Sequence, residues 1–115
     1  MKLSQIKEEL NCQTVLDSGK DPEFLHVFAS DLMSDALALF NEENGDTTLF
    51  LTGLCNTQTL RTAEMLDLHT VIFVKDKVPD EEMIEVAKEL ELDLYTSPLS
   101  MFEACGALFK GGLKP

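Results

Sequence analysis

The chain predicts an α/β fold, a three-layer α/β/α sandwich around a mostly parallel sheet of four to five strands. Three observations carry that expectation. From His26 onward, apolar runs and amphipathic segments alternate as strand then helix, four times over. Two of the runs, "TLFLT" and "TVIFV", lack polar alternation, which is the pattern of strands buried on both faces of a parallel sheet. The chain has 115 residues of which 44% are hydrophobic, enough for one core without a disulfide staple.

Each element can be justified in order. "LSQIKEEL" sets Leu3, Ile6 and Leu10 at helical spacing, and "QTVLD" reads as a short strand ended by "SGKD". There follow a strand "HVFAS", a helix "DLMSDALALF", a strand "TTLFLT", a helix "NTQTLRTAEML" and a strand "HTVIFV". The series closes with a helix "DEEMIEVAKEL", a short strand "DLYT" and a last helix "PLSMFEACGALF". The helices carry apolar stripes: Leu32, Ala36, Leu37 and Phe40 in one; Leu60, Ala63 and Leu66 or Asp67 in another, with Met65 at its edge; Met83, Ala87 and Leu90 in a third. Helices must cover both faces of the sheet, and right-handed crossovers then give the three-layer sandwich. One domain is expected, with residues 1–25 as an edge helix and strand, 26–110 as repeated β-α units and 111–115 as a tail. In "KGGLKP" the glycines stop the last helix and a frayed end follows.

Charge narrows the partners. Nine Lys and Arg against 21 Asp and Glu leave a net charge of −12, which argues against nucleic acid as a partner, because that binding rests on cations neutralising phosphates. A nucleotide stays admissible, since backbone donors at helix starts hold phosphate locally. The sequence contains no apolar run of the roughly 18 residues that span a bilayer, and "MKLSQIKEEL" has no signal-peptide core, so a cytoplasmic protein without a membrane partner is expected. Cys12, Cys55 and Cys105 are scattered, and with His26 and His69 they form no zinc or cluster spacing. Reduced, buried thiols are the expectation, and no metal or cofactor is assigned. The histidines, at strand starts, are read as structural or exposed.

In an open parallel sheet, ligands bind beyond the carboxyl ends of the strands, where loops lead into helices. That rule selects Ser30 and Asp31, the loop "TGLCNTQ" from Thr52 to Gln58, "KDKVPD" from Lys75 to Asp80, and "TSP" from Thr96 to Pro98. The candidate ligand-binding residues are Ser30, Asp31, Ser34, Asp35, Thr52, Gly53, Asn56, Thr57, Gln58, Thr96 and Ser97. All sit at helix starts, where Ser, Thr, Asp and Asn also cap free N–H groups for about 1 kcal/mol each. Ser30 or Asp31, Asn56 or Thr57, Asp80, and Ser97 ahead of Pro98 are the capping candidates, with Ser100 and Glu103 as an alternative box for the last helix. Asp31 and Asp35 share one helical side but lack a third ligand for a divalent ion. No G-x-x-x-x-G-K-[ST] loop, G-x-G-x-x-G turn, catalytic triad order or H-E-x-x-H occurs. Catalytic residues are therefore not assigned, and a nucleophilic Cys55 would lack a base close in sequence.

Three segments, V-x-A-S-D-L-x-S-D-x-L at Val27 to Leu37, A-x-x-L-D-L-x-x-V-I-x-V at Ala63 to Val74 and S-P-L-S-x-F-E at Ser97 to Glu103, together with the element order, resemble a stand-alone DRTGG domain. The resemblance covers nearly the whole chain. It implies a fold like the amino-terminal domain of HPr kinase and, more distantly, the UDP-binding domain of Mur ligases. In relatives such a domain accompanies CBS domains in nucleotide-regulated pyrophosphatases or occurs in phosphotransacetylases, and single-domain versions are associated with hydrogenase genes. The family implies a regulatory or interaction role, pairing as a homodimer and no catalytic residues of its own. Where the D-R-T-G-G segment should fall this chain reads "DPEFLHV", so the role of those residues does not carry over. The kinase P-loop lies in a different domain. The resulting expectation is a non-catalytic regulatory domain, with a sensor of adenine or uridine nucleotides as the alternative and an accessory partner of a hydrogenase or other redox enzyme behind it.

Overall fold

The protein is described by a computed structural model covering residues 1–32, 34 and 42–115, with the backbone alone for 42–44. Its elements run α1 (Leu3–Glu9), β1 (Gln13–Leu16), β2 (His26–Ala29), a 3-10 turn (Glu42–Thr47), β3 (Thr48–Thr52), α2 (Thr57–Met65), β4 (Thr70–Phe73), α3 (Glu81–Leu90), β5 (Asp93–Thr96) and α4 (Met101–Lys110). The helix expected over "DLMSDALALF", with Ala36, Leu37 and Phe40 of its stripe, lies outside the described residues apart from Asp31, Leu32 and Ser34. Leu32, assigned by periodicity to that stripe, is 56% exposed. The reason is local: the Ser30 hydroxyl accepts from the Leu32 N–H and donates to its carbonyl, both at 3.1 Å, holding residues 30–32 in a turn.

The five strands are ordered β1-β5-β4-β3-β2. β2 to β5 are parallel and β1 closes the sheet antiparallel beside β5. Because the parallel strands step in one direction without reversal, right-handed crossovers place α2 and α3 on one face. The other face must be covered from the chain ends, and α1 and α4 do so. Strand side chains alternate accordingly. Phe50, Val71, Phe73 and Leu94 pack with Leu60, Ala63 and Leu66 of α2 and its end and with Met83 and Ala87 of α3. Leu49, Leu51, Ile72 and Tyr95 pack with Leu3, Ile6 and Leu10 and with Ala104 and Leu108. All five residues of β3 and all four of β4 are buried, as their unbroken apolar runs require.

One end detail decides between two expected alternatives, and another differs from expectation. Leu66, not Asp67, joins the core, because Asp67 turns left-handed at φ 57° to end the helix. The tail is not frayed: Gly112 turns at φ 102°, Leu113 is 1% exposed, and Lys114 pairs beside β2, its carbonyl accepting from Val27 N–H at 2.8 Å and its N–H donating to Leu25 O at 3.1 Å. Burying Leu113 anchors a segment that its glycines alone would leave loose.

Candidate functional site

The carboxyl ends of β2, β3, β4 and β5, at Ala29, Thr52, Phe73 and Thr96, lie along one edge of the sheet. There the structure joins Asp31 to the next loop. Its Oδ1 accepts from the Gly53 N–H at 2.6 Å and from the Thr52 hydroxyl at 3.4 Å, while Thr52 Oγ1 accepts from Leu54 N–H at 3.1 Å. Asp31, Thr52 and Gly53 are therefore one contact group, whereas the Ser30 hydroxyl bonds Leu32 and its N–H donates to Leu51 O at 3.1 Å. A Cβ at Gly53 would stand 3.2 Å from Asp31 Oδ1, so that a side chain there would push the carboxylate aside by a few tenths of an ångström. Asn56 caps α2, its Oδ1 accepting from the Thr59 N–H at 2.9 Å and from the Thr59 hydroxyl at 3.0 Å, so Thr57 and Gln58 form the first turn rather than the cap. Asp80 caps α3 through Met83 N–H at 2.9 Å. Ser34 is exposed, and Asp35 lies outside the described residues.

Thr96 and Ser97 do not join that group. β4 separates β5 from β3, which puts them about 10 Å along the edge. Thr96 is 5% exposed and Ser97 fully buried. The Ser97 hydroxyl donates to Leu10 O at 2.6 Å and accepts from Leu99 N–H at 3.2 Å, so it is a structural tie across the molecule and caps no helix. The cap of α4 is Ser100, boxed with Glu103, whose carboxyl is held below its usual range by the Ser100 N–H it accepts. The helices after β4 and β5 leave toward opposite faces, which is where a crevice would open. Backbone closes it instead: Lys75 N–H donates to Leu99 O at 2.8 Å and Asp76 N–H to Ser97 O at 2.9 Å, with both residues left-handed at φ 60° and 58°.

The thiols are not activated. Burial raises Cys12 to about 11. Burial first, then the Asp80 carboxylate, raises Cys55, whose Sγ lies 3.7 Å from Met83 Sδ, and burial raises Cys105. At Cys55 these effects outweigh the opposing pull of the Lys77 ammonium. Tyr95 is likewise raised, by burial and then by Asp17 and Asp93. Among the described residues no cluster of His, Cys, Asp and Glu suits a metal ion, and no helix is long and apolar enough to cross a membrane.

An open groove of about 630 Å³ lies at the opposite, amino edge of the sheet, where Thr48, Thr70 and Asp93 begin their strands. Leu16, Phe24, Ala87 and Leu92 contribute its apolar lining, and Lys20, Lys88, His69, Asp46 and Glu91 its polar rim. His69 is exposed, 3.8 Å from Asp46. One wall is set by Asp93, which accepts from the N–H and the hydroxyl of Ser18, both at 2.9 Å. Sequence reasoning missed this groove because its lining comes from loops before and after the strands, brought together by the sheet.

No protein-family model and no curated protein matches the chain. A solved structure does: the CBS and DRTGG domains of the regulatory region of Clostridium perfringens pyrophosphatase, in complex with its activator diadenosine tetraphosphate. It has a TM-score of 0.71 at 16% identity over 92% of this chain, and the match covers 45% of that chain. At that identity the likeness is one of fold, and the chain spans less than half of the neighbour's length.

Proposed function

We propose that the chain is a regulatory domain of the DRTGG type that senses a small ligand, with a nucleotide as the first class, and that it works as a homodimer. The observation that supports this reading is the fold likeness, over 92% of the chain, to a regulatory region crystallised with a nucleotide activator. The chemistry of the edge agrees with binding rather than turnover. Asp31 already serves as acceptor for a loop N–H, and the three cysteines are held as thiols. A ligand at the carboxyl edge would meet the first turn of α2 at Thr57 and Gln58, the Asp31–Gly53 tie, and the exposed Lys75 and Lys77, which supply cations for phosphate in a chain that is otherwise strongly acidic.

Calorimetry and thermal melts of the purified chain against adenine and uridine nucleotides test the reading. A ligand present at 100 times its Kd raises stability by about 2.7 kcal/mol. Combined Lys75→Ala and Lys77→Ala should remove that gain. No stabilisation by any nucleotide at millimolar concentration would overturn sensing of this class. The amino-edge groove supports a second placement of the same ligand, since it is a formed cavity with Lys20 and Lys88 at its rim. In that case Lys88→Ala, and not the Lys75 and Lys77 pair, abolishes the shift.

A further inference from the structure

α4 is apolar on both sides. Its inner side buries Ala104 and Leu108, yet Phe102 is 87% and Phe109 67% exposed. These are large apolar groups seven residues apart, on one stripe of the outer face. Between them lies Gly106, exposed, with nothing within 4 Å of where a Cβ would stand. A mid-helix glycine costs about 1 kcal/mol relative to alanine, and no contact with the described residues requires it. On the other flank of Gly106 lie Glu103 and Lys110, again seven residues apart and opposite in charge. Lys110 makes no ion pair with any described residue.

We infer that this face of α4 docks against the same face of a second copy, antiparallel, about a two-fold axis passing beside Gly106. The inference rests on the homodimer part of the functional reading and names its surface; ligand sensing is independent of it. The pattern selects the orientation. A two-fold axis that reverses the helix keeps each flank on its own side while inverting its ends. Phe102 then meets the partner's Phe109, and Glu103 meets the partner's Lys110, each twice by symmetry. A parallel pair would set the phenylalanine flank against the charged flank. Gly106, at the centre of both pairs, lets the two backbones approach closely.

The size is also suitable. At about 200 Å² per phenylalanine side chain, the two rings expose roughly 300 Å² per chain, over a third of the roughly 800 Å² that a standard interface buries on each partner. Paired charges at the flank offset locally the repulsion between two chains of net charge −12.

Sedimentation equilibrium of the full chain tests this. The expected result is a species of twice the 12.8 kDa chain mass. Phe102→Asp and Phe109→Asp should each convert it to monomer with unchanged circular dichroism, since both side chains are exposed. Lys110→Glu should weaken the dimer about tenfold, and adding Glu103→Lys to that variant should recover part of the loss. In a Cys105→Ser background, Gly106→Cys should form a disulfide-linked dimer on oxidation, and failure to do so would overturn the antiparallel register. A wild-type chain that stays monomeric up to millimolar concentration would overturn both the homodimer and this face, leaving ligand sensing to its own test. A wild-type dimer indifferent to both phenylalanine substitutions would overturn this face alone.

Discussion

The two edges of the sheet use their polar side chains differently. Along the carboxyl edge five polar side chains are engaged with backbone: Asp31 with Gly53, Thr52 with Leu54, Asn56 with Thr59, Asp80 with Met83, and Ser97 with Leu10 and Leu99. Along the amino edge, Asp93 braces Ser18, but His69, Asp46 and Lys88 border an open groove, with His69 and Asp46 only loosely paired at 3.8 Å. The lesson is that a topological rule locates where helix starts gather, and gathered helix starts need caps. The same residue types that would greet a ligand are first consumed in closing the fold.

That contrast can be broken by measurement. The largest expected effect is chemical. With its thiol raised from 9.0 to about 11, Cys12, next to the start of β1 at the carboxyl edge, should carry about a hundredfold less thiolate at neutral pH than a free cysteine and label correspondingly slowly. Labelling at the ordinary rate would mean that this edge is looser than described. The sign for stability follows from the same shift. The folded state holds its proton more tightly, so the contribution of Cys12 is intact below 9.0 and is lost as pH rises from 9.0 to about 11.

Next is Ser97→Ala. Removing a buried hydroxyl orphans the Leu10 carbonyl and should cost about 1–3 kcal/mol in urea unfolding. Asn56→Ala removes the α2 cap and should cost about 1 kcal/mol by the same assay. Asp31→Ala should cost about 0.5–1.5 kcal/mol, because water can replace the carboxylate at an exposed N–H, and Asp31→Asn should recover most of it by keeping the acceptor. Smallest is His69→Ala. The side chain is 60% exposed and its pairing with Asp46 is long, so the change should stay within about 0.5 kcal/mol. If it cost as much as Ser97→Ala, the two edges would not differ in the way described.

Much of this was legible in the sequence. The unbroken runs of β3 and β4 announced strands buried on both faces, and the strand-helix alternation announced a parallel sheet. Asn56 and Asp80 stood where caps were expected, and the Ser100–Glu103 box was visible as an alternative. Ser97 shows where legibility stops. Its position before Pro98 has the form of a cap, but the acceptor that claims its hydroxyl is Leu10, 87 residues away. No local pattern encodes such a partner. The tail is a similar case, since Leu113 is buried and Lys114 paired beside β2 only because that strand lies next to it.

By itself, then, the sequence determined what depends on near neighbours along the chain: the period of apolar residues, the residue types at helix starts, the excess of negative charge and the weak helix propensity at Gly106. Tertiary structure decided what depends on residues far apart in the chain. It put Asp31 on Gly53, closed the gap between the β4 and β5 loops with backbone, opened a groove at the amino edge, and left Phe102 and Phe109 outside. The physical reason is that periodicity tells which residues share a face of a helix, whereas exposure depends on how many of its sides the rest of the chain covers. α4 carries apolar residues on its outer side as well as its inner one, and among the described residues Phe102 and Phe109 of that outer side stay exposed.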